Sequence, residues 1–138
     1  MIAGMGFYTA KRIMEEAGCR LDAFREIIIE VNRDIVPLRQ WISDHSYTCT
    51  KEKLIHDRGY AYIAIAFHTG KGKPLSDEEI LTGTSFLDKE CEEYIAYCQN
   101  EIHKIEKILS VCSKEDERIP SLQYKKDLFQ KQIKMLQK

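Results

Sequence analysis

Residues 21–42 read LDAFREIIIEVNRDIVPLRQWI, and the fold turns on how this stretch is taken. Leu21, Phe24, Ile28, Val31, Ile35, Leu38 and Ile42 are spaced by alternating steps of 3 and 4. An α-helix, with 3.6 residues per turn, puts such positions on one side. This predicts a seam helix from about Arg20 to Asp44 whose apolar stripe another helix must cover. Pro37 lies inside the run and would cost one ladder hydrogen bond. The apolar phase passes straight through it, which predicts a kinked but continuous helix.

Flanking segments extend the helical reading. Phe7, Ala10, Ile13, Met14 and Ala17 predict a short helix over residues 7–17, stopped by Gly18. Residues 45–50, His-Ser-Tyr-Thr-Cys-Thr, read as a connection, with Thr50 able to cap a helix opening at Lys51. Residues 60–67 alternate as a strand would, yet Leu54, Ala61, Ile65 and His68 share a helical face. A lone strand would leave its backbone groups unpaired, its only plausible partners being residues 45–50 or the N-terminus, so the helix is preferred. Ser76 and Glu79 form a capping box, with Leu75 and Ile80 as the hydrophobic staple around it. A long helix is expected from Asp77, with Leu87, Cys91, Tyr94, Cys98, Ile102, Ile105, Leu109 and Cys112 on its apolar side. Gly83 could loosen its opening turns. Residues 113–119 are a charged turn, and Pro120 suits the start of a last helix carrying Leu122, Phe129, Ile133 and Leu136. The predicted fold class is all-α: a single helical domain over 1–138, an antiparallel bundle of four to five helices, two of them long.

A chain of 138 residues can bury a sufficient core without staples. The net charge of −1 predicts no bulk attraction to nucleic acid or anionic membranes. Charge is nonetheless uneven. Residues 76–112 carry three lysines against nine acidic residues, and residues 120–138 carry five lysines against one aspartate. Opposite charges flanking one helix–helix contact account for this. The five cysteines include no C-x-x-C pair, and most lie on apolar faces, where a reduced thiol acts as a small hydrophobe. A reducing, cytoplasmic setting is expected. No signal peptide and no span long enough for a bilayer is visible.

Chemistry-bearing residues are sparse. Arg39 and His45, followed by Tyr47, stand at the end of the seam helix. Arg39-x5-His45 resembles the Arg-x4–6-His motif of the HEPN ribonucleases, small all-α proteins. The resemblance spans about nine residues, and Gln40 departs from the family's usual asparagine, aspartate or histidine. It implies a composite site across a dimer, with histidine moving a proton and arginine stabilising phosphate charge. His45, Cys49, His56, Asp57 and His68 are metal-binding types, but their spacing matches no zinc pattern. Gly70-Lys71-Gly72-Lys73 is not a Walker A loop, because Pro74 stands where serine or threonine would bind magnesium. Lys71 and Lys73 could still hold an anion ahead of a helix N-terminus.

No motif calls for a cofactor or a metal. The function expected from these residues is therefore non-enzymatic: an adaptor or inhibitor acting through helix faces, self-associating as a homodimer or binding another protein. Phe24, Arg39, Trp41 and Tyr47 are the expected partner-binding residues, being of types found in binding hot spots or lying on the seam. Two alternatives stand beside this one. The first is the HEPN-like ribonuclease using Arg39, His45 and Tyr47. The second is a nucleic-acid binder using Lys71, Lys73 and the C-terminal lysines.

Overall fold

The computed structural model describes residues 6–31, 35–57 and 60–136. They fall in two compact units, one within Met1–Leu87 and one within Asp88–Lys138. The first is mixed α/β. Helix α1 (Phe7–Ala17) and a 3-10 turn (Gly18–Ala23) lead into strand β1 (Ile27–Val31). Helix α2 (Ile35–Asp44) comes next, then β2 (Tyr47–Asp57), β3 (Tyr60–Lys71) and the short helix α3 (Asp77–Thr82). The second unit is a helix pair, α4 (Glu92–Val111) and α5 (Ile119–Leu136).

The all-α expectation is thus overturned, and the error lies in the opening stretch. The predicted seam helix is a 3-10 turn, a strand and a separate helix. Ile27, Ile28 and Ile29 are three β-branched residues in succession, a type that packs well on a pleated surface and is stiff in a helix. Ile27, Ile29 and Val31 are buried while Ile28 and Glu30 are half-buried, a period of two. With three isoleucines in a row, either period finds an apolar residue where it needs one. Phe24, placed on the seam by the helical reading, is 58% exposed. Pro37 is no kink. It is the third residue of α2, within the first turn, where its missing N–H has no intrahelical partner to lose.

The strand order is β1-β3-β2, with β3 antiparallel to both neighbours. Residues 45–50 are therefore no mere connection: from Tyr47 they are the start of β2, the partner that β3 needed. Thr50 caps no helix. Its hydroxyl donates to the Ala66 carbonyl of β3 at 3.2 Å and to the Glu26 carboxylate at 3.1 Å. Because β1 and β2 both oppose β3, they run parallel to each other, joined by α2. This helical crossover between like-directed strands belongs to the α/β class.

One sheet face carries Ile27 beside Phe67, Ile29 beside Ile65 and Val31 beside Ile63, and all six are buried. On β2 the register shifts between Cys49 and Lys51. Cys49 and Glu52, three residues apart, would fall on opposite faces of a regular strand. The irregularity at Thr50 lets Cys49 pair with Phe67 and Glu52 with Ile65, so both join the buried face.

The capping box stands as read: the Glu79 amide donates to Ser76 Oγ at 3.1 Å, and the Ser76 amide to Glu79 Oε1 at 3.3 Å. Ser76→Ala should therefore lower stability by about 1 kcal/mol, measurable as a shifted urea midpoint at unchanged slope. The predicted long helix breaks at Gly83, whose φ of 120° ends α3. A Cβ there would meet Leu87 Cδ2 at 2.5 Å, so glycine permits both the turn and the close contact. The helix resumes only at Glu92.

In the second unit Tyr94, Cys98 and Ile105 of α4 are buried, as is Phe129 of α5. The Tyr97 and Phe129 rings meet edge to face at 6.3 Å. Lys126 lies 3.5 Å from Glu106, one instance of the opposite charges flanking this contact.

Candidate functional site

The polar centre of the first unit is Arg39, which the sequence placed at the exposed end of a seam. The residue is wholly buried. Its Nε donates to Glu52 Oε1 at 3.0 Å, its Nη2 makes a close ion pair with the same oxygen, and its Nη1 donates to the Ile80 carbonyl at 3.0 Å. Glu52 Oε2 accepts from the Thr84 amide at 3.1 Å and from the Thr84 hydroxyl at 2.7 Å. The bulge in β2 aims Glu52 inward, and α2 brings Arg39 over it. Both oxygens of the carboxylate and all three guanidinium nitrogens have partners, as buried charges require.

Arg39 therefore has no free edge for a substrate phosphate. His45 lies one turn beyond Trp41, exposed, its Nδ1 at 2.8 Å from the Trp41 carbonyl. The arginine and histidine do not converge on one point, and the surrounding fold is not the all-α one that the HEPN resemblance implied. The ribonuclease reading is withdrawn on both grounds.

What does converge is a ring cluster. Trp41 lies 4.2 Å from His45, 5.6 Å from Tyr47 and 6.1 Å from Phe67, measured between centroids, and Tyr47 stacks on Phe67 at 5.9 Å. Trp41 is buried, Tyr47 half-buried and Phe24 exposed. Of the four expected partner-binding residues, Trp41 and Tyr47 are thus brought together while Arg39 is turned into the core. Lys71 and Lys73 are both exposed near the end of β3, where the Gly72 amide donates to the Ser46 carbonyl at 2.7 Å. Among the described residues no group of three or more His, Cys, Asp or Glu is set to hold a metal ion. The side chains of His56 and Asp57 lie outside the described residues.

Glu52 and Thr84 were missed by sequence reading. Glu52 sat in a segment taken as helical, and Thr84 in the loosened opening of a long helix. Flanked by Lys51 and Lys53, Glu52 carries no local signal of its burial.

Beneath Glu52 lies Cys49. Burial, reinforced by the Glu52 charge, pushes its thiol up to about 11; burial likewise pushes Cys98 up to about 11. Both should resist iodoacetamide at pH 8 in the native protein while exposed Cys19 reacts. The folded state holds these two protons more tightly than the unfolded chain. Their contribution to stability is complete below about pH 9 and is lost as pH rises towards 11. Urea titrations at pH 8 and pH 10.5 check that sign.

The glycine contacts bear on whether a nucleotide could be cradled here. A Cβ at Gly70 would press on His68, at Gly72 on Thr48 and at Gly83 on Leu87. Each close approach serves the protein's own packing, so these glycines provide no ligand cradle.

Solved structures resemble this chain over nearly its whole length. A Listeria monocytogenes protein superposes with a TM-score of 0.83 at 21% identity, covering 96% of this chain and 61% of that one. The Bacillus subtilis m1A22 tRNA methyltransferase TrmK gives 0.79 at 19%, over 96% and 61%. Streptococcus pneumoniae Sp1610, solved with S-adenosyl-L-methionine, gives 0.78 at 26%, over 96% and 58%. The fold is that of α/β proteins of the methyltransferase type. A family model, TrmK, tRNA (adenine(22)-N(1))-methyltransferase, matches residues 1–138. The chain belongs to the TrmK family. A Mycoplasma pneumoniae protein, provisionally named a tRNA methyltransferase, is 26% identical over 95 residues, 65% of this chain and 43% of its own. The chain spans 58–61% of the three solved relatives described. The adaptor or inhibitor expectation, and with it the coiled coil, is overturned by membership of the TrmK family. Among the described residues no helix is long and apolar enough to cross a membrane.

Proposed function

We propose that the protein containing this chain transfers a methyl group from S-adenosylmethionine to N1 of adenine 22 in tRNA. The observation that carries the reading is the match of that family's model to all of residues 1–138. In this reaction the N1 lone pair attacks the sulfonium methyl, the sulfur–carbon bond breaks, and S-adenosylhomocysteine leaves. S-adenosylmethionine thus replaces the expectation of no cofactor. Gly70, Gly72 and Gly83 pack against the protein's own side chains, and no step is assigned to them.

This chain supplies the Arg39–Glu52 centre that holds α2, β2 and α3 together. To exposed Lys71 and Lys73 we assign contact with tRNA phosphates, since a lysine neutralises a phosphate without reading sequence. The tRNA takes the place of the expected protein partner. The test is methyl incorporation from labelled S-adenosylmethionine into a tRNA transcript with adenine at position 22 and one with guanine there. Incorporation into the first alone is expected. Equal incorporation into both, or into neither, contradicts the proposal.

A further inference from the structure

The rings beyond the end of α2 form a ladder that runs from the core to the surface. Phe67 stacks on Tyr47 at 5.9 Å with 9° between the planes, and Tyr47 meets His45 at 5.2 Å and 33°. Exposure rises in that order: Phe67 is buried, Tyr47 half-buried and His45 exposed. Closing the core needs only the buried rings, so the outermost one is left over. His45 is also held still. Trp41 backs it at 4.2 Å, and the Trp41 carbonyl lies 2.8 Å from its Nδ1 while accepting its amide at 3.2 Å. Ser46, between the two outer rings, has a φ of 57°, a left-handed conformation that residues with a Cβ enter at a cost. That turn ends α2 and sets His45 beside Tyr47.

Two cations stand at the same edge of the sheet. Lys71 is the cross-strand partner of Tyr47, and the Gly72 amide donates to the Ser46 carbonyl at 2.7 Å. The Thr48 hydroxyl donates to the Gly70 carbonyl at 2.8 Å. A Cβ at Gly72 would meet Thr48 Oγ1 at 2.5 Å and its Cα at 3.1 Å, so glycine is what lets the lysine segment lie alongside the rings. Lys71 and Lys73 are exposed. Asp44, the carboxylate adjoining His45, is engaged by Gln40 Nε2 at 2.8 Å.

A fixed, exposed ring beside two cations suits a nucleotide: the base stacks on the ring and lysines neutralise the phosphates. We propose that His45, backed by Trp41 and Tyr47, receives one unpaired base of an RNA, with Lys71 and Lys73 on the phosphates flanking it. That this RNA is tRNA rests on the function proposed above. The stacking subsite itself rests on the rings and lysines alone.

Trp41, the single tryptophan, adjoins the subsite and reports its occupancy by fluorescence. The protein is titrated with a short single-stranded oligoadenylate and with an abasic oligonucleotide of equal length. The oligoadenylate should bind more tightly. His45→Ala should weaken it about tenfold, the size of one lost base–aromatic contact, and leave the abasic chain unmoved. His45→Phe, which keeps a ring, should restore most of that loss, a rescue that a merely structural role for the imidazole would not give. Lys71→Ala and Lys73→Ala should weaken both ligands alike and flatten their salt dependence. Equal wild-type affinity for the two ligands, no binding of either, or oligoadenylate binding unchanged by His45→Ala overturns the base subsite. A loss that His45→Phe does not restore overturns stacking as its cause. Lysine variants that weaken neither ligand overturn the phosphate contacts. A wild-type protein that binds oligoadenylate in this way yet methylates no tRNA contradicts only the function proposed above.

Discussion

Glu52→Ala is expected to cost about 3–5 kcal/mol, a large part of the stability of a domain this size. The substitution does more than delete contacts. It leaves the Arg39 guanidinium wholly buried with only the Ile80 carbonyl to receive its donors. An uncompensated charge in a low-dielectric interior is the costly state, more so than the absence of the pair. Replacing both members, Arg39→Met with Glu52→Leu, should therefore recover part of the loss: the charge desolvation is gone, while the Thr84 amide and hydroxyl and the Ile80 carbonyl still lack their partners. Trp41, the single tryptophan, lies in the same helix as Arg39 and reports this unit's unfolding by fluorescence in urea. A double variant as unstable as the single one would show that the pair contributes through packing and not through charge.

Phe67→Ala should be comparably severe, about 3–5 kcal/mol. Phe67 is fully buried on the central strand, opposite Ile27 of β1 and Cys49 of β2, and its ring meets Trp41 and Tyr47. Its neighbours come from three different elements, so the space it leaves cannot close by one side chain moving. Tyr62 lies on the same strand but half-buried, on the less covered face. Tyr62→Ala should cost distinctly less. Equal losses at the two positions, measured by urea denaturation, would contradict the assignment of faces.

The contrast between Phe67 and the opening stretch explains how much of this fold the sequence made legible. Where a local signal is self-sufficient it read correctly: α1 by its apolar face, α3 by the Ser76/Glu79 box, the α4–α5 pair by long helical stripes around Tyr94, Cys98, Ile105 and Phe129. The sheet did not, because a strand is completed by partners distant in sequence. Residues 60–67 alternate as a strand does, but with residues 45–50 or the N-terminus as the only plausible partners the helix was preferred. Both partners had been assigned elsewhere, β1 to the seam helix and part of β2 to a connection. One misreading of Ile27-Ile28-Ile29 thus removed the evidence for the next.

The candidate site took the same course. Arg39 was read as an exposed partner-binding residue and so given the wrong surroundings, since its partner Glu52 faces it only because of an irregularity at Thr50. No motif spacing encodes a strand bulge. Nor did any spacing read from the sequence point to the family, since the polar centre of the first unit is internal and assembled from α2, β2 and α3 with the residues after it.

The most direct test of the proposed methyl transfer is the position of the modified base. A tRNA treated with the protein and S-adenosylmethionine is digested to nucleosides and oligonucleotides and read by mass spectrometry. One added methyl group is expected, on adenine at position 22, with the free base edge at N1 blocked so that reverse transcription stops beside it. A methyl group at another position, or on another base, would contradict the proposed reaction.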